Sequence, residues 1–242
     1  MTKSERLLSE VDNAIQNKSI VEAITWFAAK YPGQVVFSTS FGIEDQAITH
    51  HIFSNRLPVR VFTLDTGRQF QETYSVWNKT LAQYGQPIEV YYPQAQALEA
   101  MVTKKGPNSF YESVEARKEC CGIRKVEPLN RALKGAAVWI TGIRAEQSNN
   151  RTDMKYLEWD AAHEVVKYHP LFDQTWPQVK SFAEDTGIPY NPLHDKGFVS
   201  IGCAPCTRAI KPGEDFRAGR WWWEDASKKE CGLHTHEVMV NG

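Results

Sequence analysis

Apolar and polar positions follow two alternating periods along most of the chain. In the first thirty residues apolar side chains recur at helical spacing with a break at Asn17-Lys18-Ser19, and Tyr31-Pro32-Gly33 ends the helix. The short apolar run Val35-Val36-Phe37 is typical of a buried strand. The same reasoning predicts further helices through Ile48 and Ile52 and over 69–84, 95–103, 126–133 and 175–186, and further strands over 59–64, 88–91, 137–141 and 165–168.

Strands that alternate with helices indicate an α/β fold with a mainly parallel sheet flanked by helices. We expect residues 1–206 to form this body. Residues 207–242 differ, because they carry Pro212-Gly213, three consecutive tryptophans and a polar end. We therefore predict a mobile C-terminal tail with little core of its own.

Charge and composition exclude several classes of protein. The formal net charge of the 242 residues is −1, which argues against a nucleic-acid or anionic-membrane binder. No run approaches the length of a membrane span, and the chain begins with a polar, amphipathic stretch rather than an apolar signal segment. We expect a cytoplasmic protein whose five cysteines stay reduced, so metal ligation or catalysis is their natural use.

Three loops follow predicted strands and therefore gather at one edge of the predicted sheet. They are Ser38 to Asp45, Asp65 to Arg68 and Thr141 to Arg144. Ligands of open parallel sheets bind at this edge, where small residues and helix N-termini admit phosphate groups. The loops match neither a Walker P-loop nor a dinucleotide fingerprint. The candidate nucleotide-binding residues are Ser38, Ser40, Phe41, Gly42, Asp65, Thr66, Arg68 and Arg144.

Four cysteines form a candidate metal site. Cys120 and Cys121 are adjacent, and two residues separate Cys203 from Cys206. Four thiolates bind either tetrahedral zinc or an iron–sulfur cluster. Adjacent cysteines are awkward for one zinc ion, although the pattern alone leaves both metals open.

The fifth cysteine, Cys231, lies near the C-terminus between two lysines and two histidines. Nearby cations lower the pKa of a thiol and make it a nucleophile, while Glu230 opposes that effect. Arg217 and Arg220 precede the tryptophans, and guanidinium groups suit phosphate or sulfate oxygens. A segment of this kind is able to close over a bound nucleotide.

Together these motifs resemble the iron–sulfur type of the assimilatory adenylyl-sulfate reductase family, within the PAPS/APS reductases. The resemblance runs from Ser38 to His234 and rests on Ser-Thr-Ser-Phe-Gly-Ile-Glu-Asp, Leu-Asp-Thr-Gly-Arg, Cys-Cys-Gly-Ile-Arg-Lys, Thr-Gly-Ile-Arg-Ala-Glu-Gln-Ser, Gly-Cys-Ala-Pro-Cys-Thr, Arg-Ala-Gly-Arg-Trp-Trp-Trp-Glu and Lys-Glu-Cys-Gly-Leu-His.

The resemblance implies an adenine-nucleotide α-hydrolase-like fold and a [4Fe–4S] cluster on Cys120, Cys121, Cys203 and Cys206. It implies that Cys231 attacks adenosine 5′-phosphosulfate, that AMP leaves, and that thioredoxin releases sulfite from the S-sulfonated cysteine. It further implies that the substrate cations are Lys125, beside the cluster, with Arg144, Arg217 and Arg220, and that His234 positions the nucleophile or the sulfate.

Other readings stay open at this point. One is a reductase of the 3′-phosphorylated nucleotide, or of both nucleotides. Another is a nucleotide-binding module without catalysis, in which the cysteines form only a structural zinc or cluster site. An RNA-thiolation enzyme fits poorly, because there is neither a pyrophosphatase loop nor a basic extension. A homo-oligomer is compatible with the sequence, which does not give the oligomeric state.

Overall fold

Helices and strands alternate in the computed structural model, which describes residues 1–147 and 154–225. The helices are α1 (Lys3–Ile15), α2 (Ile20–Lys30), α3 (Ile43–Ser54), α4 (Gln71–Tyr84), α5 (Ala95–Lys105), α6 (Val114–Cys121), α7 (Glu127–Leu133) and α8 (Trp176–Thr186). The strands are β1 (Val35–Ser38), β2 (Arg60–Leu64), β3 (Glu89–Tyr91), β4 (Val138–Ile140), β5 (Leu157–Asp160) and β6 (Val165–Tyr168).

The break between the first two helices has a local cause. Thr2 and Ser19 each cap a helix, and the glutamate three residues later returns a hydrogen bond to the cap backbone. These capping boxes satisfy N–H groups that the first turn of a helix leaves unpaired. The predicted division into two helices is confirmed.

The six strands form one sheet in the order β3-β2-β1-β4-β6-β5. All pairs are parallel except β5 with β6. The chain extends from β1 towards β3 and then continues on the other side of β1 with β4. The boundary between β1 and β4 is therefore the switch point at which open α/β sheets leave a crevice for ligands.

Both faces of the sheet are buried, because successive side chains of a strand point to opposite faces. Val35 and Phe37 join the larger core, while Val36 joins the core beneath α7. This explains why the central strands are continuous apolar runs rather than alternating ones. No helix among residues 1–147 and 154–225 is long and apolar enough to cross a membrane.

Two elements were not predicted. Strand β5 is antiparallel to β6, so the mainly parallel sheet has one antiparallel edge. Helix α6 is missing from the sequence pattern because the residues it buries are Arg117 and Cys120 rather than an apolar stripe. A π-helical turn, Gly122–Val126, joins α6 to α7.

The first part of the predicted tail packs against the body. Trp221 is only 1% exposed and contacts a small core that contains Cys120, Cys203 and Cys206. Thr207 and Arg220 form an isolated antiparallel bridge. A buried tryptophan and a buried ion pair thus attach residues 207–225 to the body, and the mobility of the tail stays a prediction. Residues 226–242 lie outside the described residues.

Candidate active site

A cavity of about 240 Å³ lies in the crevice between β1 and β4. Its wall contains residues of the first and third predicted loops, together with Thr66, Lys125, Arg217 and Arg220. The predicted residues Ser38, Ser40 and Gly42 line it as expected. The sheet brings together loops that are a hundred residues apart in the sequence.

Two backbone N–H groups of the first loop donate to side chains of the same loop. Ser40 donates from its backbone N and from Oγ to Asp45 Oδ2, at 2.6 and 2.7 Å, and Phe41 N donates to Thr39 Oγ1 at 3.1 Å. Phe41 does not line the cavity; it is buried, stacks on Trp77 and adopts a left-handed backbone. Two N–H groups of the loop are therefore engaged within it, and the wall it forms contains the carboxylates of Glu44 and Asp45.

Two of those carboxylates begin helix α3. Glu44 and Asp45 are both buried and both line the cavity. Burial raises the pKa of Asp45 to about 6, although its hydrogen bonds from Ser40 oppose the rise. Gly142 passes so close to Asp45 that a Cβ atom there would lie 2.1 Å from Oδ1. A side chain at position 142 is therefore excluded while Asp45 keeps this position.

The second loop connects the cavity with the cysteines. Asp65 is turned away, because it accepts hydrogen bonds from Gly67 N and the Tyr74 hydroxyl. Thr66 lines the cavity, and its Oγ1 lies 3.2 Å from Cys203 Sγ. Arg68 faces the cysteines instead, with its guanidinium carbon 5.0 Å from the Phe110 ring centroid. Of the three predicted residues, Thr66 is the one in the cavity wall.

Arg144 is placed differently from the expectation of a substrate cation. It is fully buried, donates to Glu44 Oε1 at 2.9 Å and Glu146 Oε2 at 2.7 Å, and is not part of the cavity wall. Its Nε is paired with Glu44, while its Nη2 is buried without a hydrogen-bond partner among the described residues, so its role towards a substrate stays a prediction. Its observed role is to hold Glu44 in the wall, because a buried cation requires such partners.

The four predicted ligand cysteines converge. A second, smaller cavity is lined by all four, together with Arg68, Phe110, Arg117, Arg124, Lys125 and Pro205. Cys120, Cys203 and Cys206 are buried, and Cys121 is half-buried. Among residues 1–147 and 154–225, no three His, Cys, Asp or Glu side chains are close enough together to hold a single metal ion. Four sulfurs around one cavity are the kind of ligand set that an iron–sulfur cluster requires.

The thiols have different electrostatic surroundings. Burial alone would raise the pKa of Cys203, but Lys125, Arg220, Arg124 and the hydrogen bond with Thr66 outweigh it and lower that pKa. Burial and the neighbouring Cys203 raise the pKa of Cys206 to about 12. The positive charges therefore favour a thiolate, the ligating form of cysteine, at Cys203.

Lys125 lines both cavities, as its place beside the cysteines in the sequence predicts. Arg217 and Arg220 also line the larger one. Their guanidinium carbons lie 5.7 and 4.8 Å from the buried Trp221 ring, so one tryptophan supports both arginines. Of the predicted basic residues, Lys125, Arg217 and Arg220 thus line the larger cavity, and Arg68 and Lys125 line the cysteine cavity.

Comparison with known proteins decides the family. Residues 34–209 match the phosphoadenosine phosphosulfate reductase domain. The chain belongs to this family. It is 53% identical over 206 residues to the adenosine 5′-phosphosulfate reductase of Rhizobium meliloti (strain 1021), an alignment that covers 85% of this chain and 78% of that one.

Solved structures agree with the architecture of the phosphoadenosine phosphosulfate reductase family. The phosphoadenylyl-sulfate reductase of Candida auris, in a phosphate complex, is similar with a TM-score of 0.73 and 26% identity over 87% of this chain and 99% of that one. The FMN adenylyltransferase of Candida glabrata reaches a TM-score of 0.52 at 15% identity, over 96% of this chain and 83% of that one. The latter likeness concerns the fold alone, and the predicted adenine-nucleotide α-hydrolase-like fold is confirmed.

Some residues of this family member's site were not predicted. Arg117 and Arg124 accompany the cysteines, and the helical spacing 117, 120, 121, 124 was the signal that would have found them. Arg124 Nη1 donates to Thr66 O at 2.6 Å and so joins the cysteine helix to the second loop. No sequence spacing indicated that Glu44 and His194 would line the larger cavity. The predicted Cys231 and His234 lie outside the described residues.

Proposed function

We propose that this chain reduces adenosine 5′-phosphosulfate to sulfite and AMP, in the cytoplasm, as part of sulfate assimilation. The observation that carries the proposal is a cavity with three basic side chains, Lys125, Arg217 and Arg220, that adjoins four converging cysteines through Lys125. Relatives about half identical over most of the chain, named as adenosine 5′-phosphosulfate reductases, support it.

The proposed reaction begins with the Cys231 thiolate. Its sulfur attacks the sulfur atom of the substrate, and a Cys–S–SO₃⁻ bond forms while the bond from sulfur to the bridging phosphate oxygen breaks. AMP leaves with that oxygen. The three basic side chains bind the phosphosulfate oxygens and offset the charge that repels a thiolate, which is electrostatic catalysis by preorganised groups. His234 positions the nucleophile or the sulfate.

The second half of the reaction needs an external dithiol. A thiolate of thioredoxin attacks the Cys231 sulfur, sulfite leaves with the electron pair of the broken sulfur–sulfur bond, and a mixed disulfide remains. The second thiol of thioredoxin resolves that disulfide and regenerates Cys231. The two electrons that reduce the substrate therefore come from the dithiol.

We propose that Cys120, Cys121, Cys203 and Cys206 hold a [4Fe–4S] cluster. Their convergence on one cavity supports this ligand set. When bound, the cluster would fix the two cysteine segments relative to each other and shape the field around Lys125. The chain itself surrounds the cysteine cavity with the positive charges of Arg68, Arg124 and Lys125.

A sulfite assay on both nucleotides, alongside iron and zinc analysis, tests the proposal. With thioredoxin present, we expect sulfite from the unphosphorylated nucleotide and iron without stoichiometric zinc. A clear preference for the 3′-phosphorylated nucleotide would contradict the substrate assignment. Colourless, zinc-containing protein that binds nucleotide without forming sulfite would instead support a nucleotide-binding module with a structural zinc site.

A further inference from the structure

Three hydrogen-bonded polar side chains connect the antiparallel edge of the sheet with the wall of the larger cavity. His169 directly follows β6 and is fully buried, and its Nδ1 lies 2.7 Å from Thr141 Oγ1. On the other side of the ring, Nε2 lies 3.2 Å from Oε2 of Glu158, a residue of β5. Thr141 is part of the cavity wall, while His169 and Glu158 lie behind it.

The carboxylate of Glu158 determines how the ring is oriented. Burial would raise the pKa of Glu158, but its hydrogen bond with His169 and the charges of His169 and Lys167 outweigh burial and lower that pKa. An ionised carboxylate only accepts, so Nε2 of His169 carries a proton and donates it to Glu158. Nδ1 is then bonded to Thr141 Oγ1 in either protonation state, since a neutral ring accepts from the hydroxyl and a cationic ring donates to it.

Thr141 transmits this position to the loop that follows β4. Its Oγ1 also accepts from Ile143 N at 3.4 Å, which is a turn of the kind that hydroxyl side chains form with their own backbone. Thr141, Gly142 and Ile143 all line the cavity. The loop has little room to move towards α3, because Gly142 is packed closely against Asp45. The hydroxyl of Thr141 therefore helps to set the shape of this wall.

We propose that His169 is a positioning residue for nucleotide binding, which fixes the Thr141 hydroxyl and with it the cavity wall over residues 141–143. Glu158 holds the ring in place for this task. The proposal rests on the function proposed above, which supplies the adenylyl ligand. A wall that is already in its binding position costs less to order when the ligand arrives, so its support contributes to affinity without touching the ligand.

Two substitutions separate the two bonds of the ring. The amide of an asparagine lies near the position of Nδ1, and the amide of a glutamine reaches the position of Nε2. An amide offers both a donor and an acceptor, so each variant replaces the bond within its reach. His169→Asn thus keeps a partner for Thr141 and loses Glu158, whereas His169→Gln keeps Glu158 and loses Thr141.

The test combines calorimetric binding of AMP with thermal unfolding, both on the full-length, cluster-loaded protein. His169→Asn should bind AMP within about 2-fold of the parent but lower Tm by about 4 to 8 °C, because a hydrogen bond to a carboxylate is lost. His169→Gln should weaken AMP binding about 5- to 10-fold and lower Tm by only about 2 to 4 °C, because the lost bond is neutral. A residue with a merely structural role would instead weaken binding most in the least stable variant.

A double-mutant cycle and a control assign the effect to Thr141. Thr141→Val removes the hydroxyl and should weaken AMP binding by the same factor, about 5- to 10-fold. His169→Gln should have little further effect on AMP binding in that background, because both residues act through one hydrogen bond. His50→Gln is the matched control; His50 Nδ1 also lies 2.8 Å from a hydroxyl, that of Tyr84, but His50 is not in the cavity wall, so AMP should bind as it does to the parent.

Several outcomes would overturn the assignment. Parental AMP affinity in His169→Gln would exclude a contribution of the ring to binding. Equal weakening in His169→Asn and His169→Gln would make His169 a structural residue, and additive losses in the cycle would exclude Thr141 as the intermediary. If the parent binds AMP and forms sulfite while these results appear, only this inference fails. If the parent does not bind AMP at all, the proposed function fails with it.

Discussion

Lys125 is the residue at which the nucleotide cavity and the cysteine cavity meet. It lies in the π-helical turn directly after α6, so the local widening of the helix sets its position relative to Cys120 and Cys121. Turns of this type recur at functional sites. In the proposed reaction its charge stabilises the phosphosulfate and influences the neighbouring sulfurs.

We predict that Lys125→Ala lowers the rate of sulfite formation about 100-fold or more, as expected when a preorganised cation is removed, while iron content stays at the parental level. Steady-state assays with parallel iron analysis measure both. Lys118→Ala is the matched control, because Lys118 is an exposed lysine of α6. Equal losses of iron and activity in Lys125→Ala would make Lys125 a structural residue instead.

Asp45 gives a pH-dependent prediction. Burial raises its pKa from 3.8 to about 6, so the stability associated with its protonated form is complete below pH 3.8 and is lost as the pH rises through 6. Relative to Asp45→Asn, the parent should therefore lose roughly 1 kcal/mol of unfolding free energy between about pH 5 and pH 7.5. Urea unfolding of both proteins measures the difference. A difference that does not vary with pH would show that Asp45 titrates normally.

Which residues surround the site could be predicted only in part. Ser38, Thr66 and Arg220 could be predicted from their loops and motifs, because the carboxyl ends of parallel strands lie at one edge of the sheet. The pairing of Arg144 with Glu44 could not be predicted. Nothing local to either residue indicates that a guanidinium will be neutralised by a carboxylate a hundred positions away.

At the scale of elements, a buried ion pair attaches residues 207–225 to the cysteine helix. Arg117 Nε and Nη2 donate to the two carboxylate oxygens of Glu224, each at 2.9 Å, and both side chains are almost fully buried. The Arg117 guanidinium also lies 4.7 Å from the Trp221 ring centroid. Residues 207–225, which precede Cys231 in the sequence, are thus held beside the cysteine cavity.

We predict that Glu224→Gln lowers the free energy of unfolding by about 3–5 kcal/mol, since Arg117 is left buried without its carboxylate. Glu214→Gln is the matched control. It breaks the partly exposed pair of Glu214 with Arg208 in the same segment and should cost about 1 kcal/mol or less. Urea unfolding measures both losses. Equal losses would contradict a special role for the buried pair.

Elements whose buried faces are apolar could be predicted from the sequence, and the others could not. Helix α2 buries Ile24 and Phe27 at helical spacing, and β1 buries three successive apolar residues. Helix α6 buries Arg117 and Cys120, which the hydrophobic period does not detect. The local signals of that helix are its helix-forming residues and its Ser113 cap, which a search for apolar periodicity passes over.

At the scale of the whole molecule, the two cysteine segments are far apart in the sequence but line one cavity. One is the C-terminal end of α6, and the other follows the turn at His194–Lys196. A cluster on both would connect the body to the segment 207–225. Protein purified without oxygen should be brown and contain about four irons per chain, the content of one [4Fe–4S] centre.

We predict that Cys203→Ser loses most of this iron, because Cys203 has the thiol whose pKa the surrounding cations lower most clearly. Hydrogen exchange should then increase in α6 and in the neighbouring 3₁₀ turn Ala204–Cys206, while β1 and β4 remain protected by the central core. Iron analysis and exchange mass spectrometry measure both. Full iron content in this variant would exclude Cys203 as a ligand.

The central claim of the account is that the Cys231 sulfur takes the sulfonyl group from the nucleotide. Intact-mass analysis after a single turnover without thioredoxin tests it most directly, with Cys231→Ser in parallel. The account predicts one added SO₃ group on the parent protein, none on Cys231→Ser, and no sulfite from that variant although it binds AMP normally. Sulfite formation by Cys231→Ser at the parental rate would contradict the account.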